Sequence, residues 1–153
     1  MTGKVDARLA QLGLTLPTPV APVANYVPFT IVGNLLFISG QLPLNADGLV
    51  KGTLGQDISV EAGYAAARTC AVNLIAQAKA ALGDLDRVTR VAKIGAFIAC
   101  AAGFTDQPKV ANGASDLMVE VFGEAGRHAR SAVGTNALPL GAAVEVDVII
   151  EFA

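Results

Sequence analysis

The chain has 153 residues, a formal net charge of −2, 53% hydrophobic residues, 5% aromatics and no Trp. That length suits one domain with a real core that needs neither disulfides nor metal, and the core must be built from Ala, Val, Leu and Ile rather than from large rings. The slightly acidic balance, with no basic run beyond Arg127-His128-Ala129-Arg130, argues against a duplex nucleic-acid partner, because phosphate neutralisation dominates such binding.

At the N-terminus, Asp6, Arg8 and Gln11 interrupt any apolar leader and Pro17, Pro19 and Pro22 follow closely, so no signal peptide is expected. No uninterrupted apolar stretch reaches the ~18 residues of a spanning helix. Cys70 and Cys100 lack a Cys-x-x-Cys setting and are read as two buried free thiols, which fits a cytoplasmic protein.

Residues 5–14 place Val5, Leu9 and Leu12 at helical spacing, which predicts a short amphipathic helix ended near Gly13. Residues 16–23, with three prolines, form an extended linker, so 1–23 reads as an N-terminal extension and 24–153 as the main domain. Runs 29–32 and 35–39 flank Gly33-Asn34, a turn pair that tolerates positive φ, and predict a hairpin. The chain then leaves the sheet at 40–43 and turns again at 45–48. Residues 59–82 are the strongest helix: Ser59 can cap it, Glu61 complements its dipole, and Gly83 stands where a left-handed C-terminal cap belongs. Residues 88–100 predict a long strand with Val88, Arg90, Ala92, Ile94, Ala96 and Ile98 on one face. A second helix starts at Asp106-Gln107-Pro108 and ends at Gly123, with Gly113 costing it roughly 1 kcal/mol relative to Ala. Two last strands, 130–137 and 142–152, are joined by 138–141. In the second of them Val144, Val146, Val148, Ile150 and Phe152 face one way and Glu145, Asp147 and Glu151 the other, the pattern of a half-buried strand. The order (α)ββαβαββ predicts an α+β fold, one sheet with two long helices on one face.

Phosphate-binding loops, nucleophile elbows and zinc-protease motifs are absent from the sequence, and His128 alone cannot build a metal cluster. The chemistry is left to the polar face of the sheet. If 138–141 is a four-residue hairpin loop, Ala137 pairs with Ala142, and Arg130, Ala132, Gly134 and Asn136 share a face with Glu145 and Asp147. A one-residue slip would reverse this. An arginine above small residues suits a carboxylate, because its fork matches two oxygens at once. In that register Arg130 lies roughly 13 Å from the position opposite Glu145, at ~3.3 Å per residue, so joint use of the two needs a bridging ligand or a second subunit. The competing reading makes Arg130 a rim arginine in an ion pair, Tyr26 a packing residue, Ser39-Gly40-Gln41 a plain turn and His128 a solvated loop histidine.

Tyr26, the segment Val32-Gly33-Asn34-Leu35-Leu36-Phe37-Ile38-Ser39-Gly40-Gln41-Leu42-Pro43, the segment Ala129-Arg130-Ser131-Ala132-Val133, and then Leu138-Pro139-Leu140-Gly141 and Val144-Glu145-Val146 together resemble the RidA/YjgF family, also described as endoribonuclease L-PSP. The likeness runs from about Tyr26 to Phe152. It implies a chorismate-mutase-like fold, a homotrimer with its sites at subunit interfaces, and hydrolytic deamination of reactive enamine or imine intermediates such as 2-aminoacrylate to 2-oxo acids and ammonia, with no cofactor and no metal. By that resemblance Arg130 clamps the substrate carboxylate and Glu145 positions or activates water, while Tyr26, the backbone at Gly40, Ala132 and Ser115 line the cleft. Ala132 stands where the family has cysteine, and Asn112 or Ser115 could serve for a family asparagine. Two alternatives stay open: a carboxylate-binding regulatory protein without turnover, and an RNA-cleaving protein.

Overall fold

The computed structural model describes residues 3–19 and 24–153. The end of the expected linker, 20–23, lies outside the described residues. Helix α1 (Lys4–Gln11) ends where Gly13 takes a φ of 70°, which glycine adopts without strain. Its first turn is capped from another element, because the Asp86 carboxylate accepts from the backbone N–H groups of Lys4 and Val5, both at 2.8 Å. Arg8 Nε donates to the Glu120 carbonyl at 2.7 Å, Lys79 pairs with Asp6 at 2.9 Å, and Leu9 is buried.

Strands β1 (Phe29–Val32) and β2 (Leu35–Gln41) form the expected hairpin around Gly33, whose φ is 61°. β2 runs on to Gln41, past the expected exit, through an irregularity between Ile38 and Gln41. A small hairpin follows, β3 (Leu44–Asn45) and β4 (Gly48–Leu49). Helix α2 (Val60–Leu82) opens with Ser59 Oγ accepting from Ala62 N at 3.1 Å and closes on Gly83 at φ 77°. Then come β5 (Val88–Ala99), α3 (Gln107–Phe122), β6 (Ala129–Thr135) and β7 (Val144–Phe152).

The five-stranded sheet has the order β1-β2-β7-β5-β6. Here the sequence reading needs correction. β6 does not form a hairpin with β7; it runs parallel to β5 at the sheet edge, reached through α3. The connection 138–141 carries the chain back across the sheet instead of turning tightly. Leu140 sits at φ 61°, and Ala142 bridges to Lys51 rather than to Ala137. In β5 two register shifts, between Val88 and Arg90 and between Val91 and Lys93, break the simple alternation. Val91 therefore faces the core while Arg90 is exposed, as a bulged strand allows.

One face of the sheet is dry. Leu36, Ile38, Val91, Ile94, Ile98, Val146, Val148 and Ile150 are buried under α2 and α3, against Leu74, Ile75, Leu117 and Met118. Full burial of such a side chain contributes roughly 1.5–3 kcal/mol relative to exposure. The helices approach closely because Gly113 lies on α2: the Tyr64 carbonyl occupies the place a Cβ would take. The other face is open, with Phe37, Phe97 and Val133 at 36%, 39% and 47% exposure. Cys70 is buried and Cys100 only partly so, and neither is in a disulfide. Among the described residues no helix is long and apolar enough to cross a membrane.

Candidate functional site

The sequence-predicted site residues fall into two groups on opposite sides of one sheet. Arg130 pairs in register with Ile94, and Ile94 with Val148, both core residues. Its side chain therefore lies on the helix-covered side, at the edge strand. Ser131 pairs with Gly95 and Gly95 with Asp147, while Val133, Phe97 and Glu145 form the next row of that kind. Glu145 and Asp147 consequently point to the open face. The expectation that Arg130, Ala132 and Gly134 share a face with the two acids is overturned, because it rested on the hairpin register that the parallel β5–β6 pairing replaces. Within one chain, Arg130 and Glu145 are also two strand spacings apart across the sheet, about 10 Å, and three residues out of register along it, roughly another 10 Å.

The first group is built by β6 and α3. Arg130 Nη1 donates to Asn112 Oδ1 at 2.9 Å and to Ser115 Oγ at 3.0 Å, and Nη2 reaches the Pro108 carbonyl at 3.5 Å. Asn112 and Ser115 are three residues apart on α3 and so present adjacent side chains. His128, two residues before Arg130 and so on its side of the strand's path, has Nε2 2.8 Å from Ser115 Oγ and Nδ1 2.6 Å from the Gly126 carbonyl. Ala132 follows Arg130 on the same face, small and partly buried. All three acceptors of Arg130 are neutral, and among the described residues no carboxylate pairs with it.

The second group is built by β2, β7 and β5. Glu145 packs its carboxylate into the space a side chain at position 40 would fill, so any residue larger than Gly40 there would displace that carboxylate. Asp147 accepts from Gly95 N at 3.1 Å, again over a residue without a side chain. Partial burial raises the Glu145 carboxyl above its ordinary value, and the Asp147 charge adds to this. Burial also raises Asp147, opposed by the Gly95 N–H and by Lys93. Ser39 Oγ donates to the Val27 carbonyl at 3.0 Å and Ser39 N to the Pro28 carbonyl at 2.9 Å. These bonds fasten the segment after Tyr26 to the strand that carries Gly40, and Tyr26 itself is 46% exposed.

The arrangement can hold an anion at Arg130 and a proton at Glu145, but one chain does not bring the two together. Among the described residues no cluster of His, Cys, Asp and Glu is placed to hold a metal ion. Sequence reasoning left His128 as a loop residue. The signal that could have placed it is the two-residue spacing His128-Ala129-Arg130, which puts both side chains on one side of a strand.

Comparison with known proteins follows the same lines. Residues 6–152 match the family model described as "YjgF/chorismate mutase-like, putative endoribonuclease". Protein TCP17 of Trypanosoma cruzi is 53% identical over 152 residues, covering 98% of this chain and 95% of that protein. The crystal structure of Atu1372 from Agrobacterium tumefaciens, a protein of unknown function, superposes with a TM-score of 0.91 at 50% identity, covering 97% of this chain and 92% of the other. A structure from Shewanella oneidensis described as "a putative endoribonuclease" gives a TM-score of 0.95 at 38% identity, covering 98% and 100%. The YjgF gene product of E. coli gives 0.62 at 26% identity, covering 88% and 93%. The chain belongs to the YjgF/RidA family, with that family's α+β architecture of a mixed sheet and helices packed on one side.

Proposed function

We propose that this protein deaminates reactive enamine and imine intermediates of the 2-aminoacrylate type, as a homotrimer in which each site takes Arg130 from one copy and Glu145 from another. The observation that carries the reading is the state of Arg130: a guanidinium fixed by neutral acceptors at an open sheet edge, with no carboxylate partner among the described residues. Such a cation suits a ligand carboxylate, which accepts its remaining N–H bonds in parallel. The raised Glu145 carboxyl, half-buried beside Gly40, supports the other half of the reading. Tyr26, Gly40, Ala132 and Ser115 would line the cleft between the copies.

The chemistry asks little of the protein. Proton transfer to C3, with loss of one proton from the nitrogen, turns the enamine into the imine. Water then adds through oxygen to the imine carbon, giving one proton to Glu145, and the nitrogen takes a proton. Glu145 then returns its proton to the nitrogen of the tetrahedral adduct, the C–N bond breaks to release ammonia, and the hydroxyl gives up its proton to solvent as the carbonyl of the 2-oxo acid forms. Glu145 acts as base toward water and as acid toward the departing nitrogen, and the raising of its carboxyl by burial favours the second role. Arg130 contributes orientation. This chemistry calls on no cofactor.

The family model and the Shewanella oneidensis structure carry an endoribonuclease description, but a net charge of −2 weighs against binding an RNA backbone. The test is release of pyruvate and ammonia from enzymatically generated 2-aminoacrylate, with wild type and Arg130→Ala. Acceleration by the wild type alone supports deamination. Carboxylate binding without acceleration would move the protein to a binding role.

A further inference from the structure

Building on the carboxylate reading of Arg130, we infer that His128 is a positioning residue for that arginine, acting through the Ser115 hydroxyl. A carbonyl can only accept, so the 2.6 Å contact to the Gly126 oxygen requires a proton on His128 Nδ1. In the neutral ring Nε2 is then an acceptor, and the Ser115 O–H, 2.8 Å away, donates to it. A hydroxyl has one proton. With that proton committed to His128, the lone pairs of Oγ are turned toward Arg130 Nη1 at 3.0 Å. The direction of the whole chain, Arg130 to Ser115 to His128 to Gly126, follows from one fixed tautomer.

The far end of this chain is anchored to the same helix as its middle. Gly126 is buried so closely on α3 that the Met118 carbonyl occupies the place of a Cβ. The carbonyl that orients the imidazole is thus held by the element that carries Asn112 and Ser115. A serine hydroxyl without His128 could rotate its proton toward Arg130 and lose it as a donor. Asn112 alone would then hold Nη1, and the guanidinium plane could swing.

The experiment reads pyruvate binding, by NMR titration of the folded protein, for wild type, His128→Phe, His128→Gln, Ser115→Ala and the double variant His128→Phe/Ser115→Ala. His128→Phe keeps the ring and removes the acceptor; it should weaken pyruvate about tenfold, the scale of one hydrogen bond to a charged group. His128→Gln returns an amide oxygen near the Nε2 position and should recover most of that loss. Ser115→Ala should cost as much as His128→Phe, and the double variant no more than either, since both break one chain. In turnover the loss should appear in KM more than in kcat. The 15N shifts of the wild-type His128 ring should report the Nδ1–H tautomer, whatever the variants do. The opposite tautomer, equal impairment of His128→Phe and His128→Gln, additive losses, or unchanged binding in His128→Phe would each overturn the inference. If Arg130→Ala binds pyruvate as well as wild type, or wild type does not bind it, the carboxylate reading falls first and the role of His128 falls with it.

Discussion

The two faces of the sheet carry opposite and incomplete electrostatics. On the helix-covered side, at the edge strand, Arg130 is a cation held only by neutral oxygens. On the open side, Glu145 and Asp147 are acids raised above their ordinary values by partial burial more than by any partner. An isolated chain leaves both groups unfinished, and an edge strand with free backbone groups lies beside the first. A second copy that covers the open face and meets that edge would complete both. The lesson is that the missing halves of a site can sit within one sequence and still require two molecules.

Breaking the cationic half should have the largest effect. Arg130→Ala is expected to lower kcat/KM for 2-aminoacrylate by about a thousandfold, within the ~2–5 kcal/mol typical of removing one member of a desolvated charged pair, with the fold intact by circular dichroism. Arg130→Lys should recover only part of this, since a point charge cannot make the two parallel bonds. Breaking the acidic half comes next. Gly40→Ala places a methyl group against the Glu145 carboxylate, and the displaced carboxyl should cost about a hundredfold in kcat, with pyruvate affinity changed far less.

A smaller effect sharpens the comparison through pH. Because the native state raises the Glu145 and Asp147 carboxyls above their ordinary values of 4.5 and 3.8, it binds their protons more tightly than the unfolded chain does. Stability must therefore fall as pH rises from the ordinary carboxylate range through the raised values. Glu145→Gln should flatten this decline, as urea unfolding between about pH 4 and pH 7 would read; an unchanged slope would assign it to Asp147. The smallest effect lies far from both groups. Asp86 is held below its ordinary value by the Val5 and Lys4 N–H groups, so its cap on α1 is present above the ordinary carboxylate range and lost as pH falls through the lowered value. Asp86→Ala should speed amide exchange in residues 4–11 at neutral pH and leave turnover unchanged.

Most of the elements were legible because their signals are local. Ser59, Gly83, Gly33 and Gly123 act through their own φ or their own side chain, and each stands where the structure uses it. The pairing of β6 was not legible. The stretch 138–141 looks like a hairpin loop, and only the long-range choice of β5 as partner, with α3 as the crossover, decides otherwise. That one misplacement put Arg130 on the wrong face while leaving its identity as a candidate untouched. The β5 bulges escaped for a similar reason, since alternation cannot reveal an inserted residue. Gly113 reads as a weak point in the sequence and Gly40 as a turn or cleft-lining backbone; in the structure each is the space that another residue's carbonyl or carboxylate fills.

The central claim, that each site joins Arg130 of one copy to Glu145 of another, is tested most directly by mixing. Arg130→Ala and Glu145→Ala, each inactive alone, should regain activity when unfolded and refolded together. At equal ratio about a quarter of the sites would draw intact residues from both copies. No recovery from a mixture proven to contain hybrid oligomers, or activity surviving in either variant alone, would contradict it.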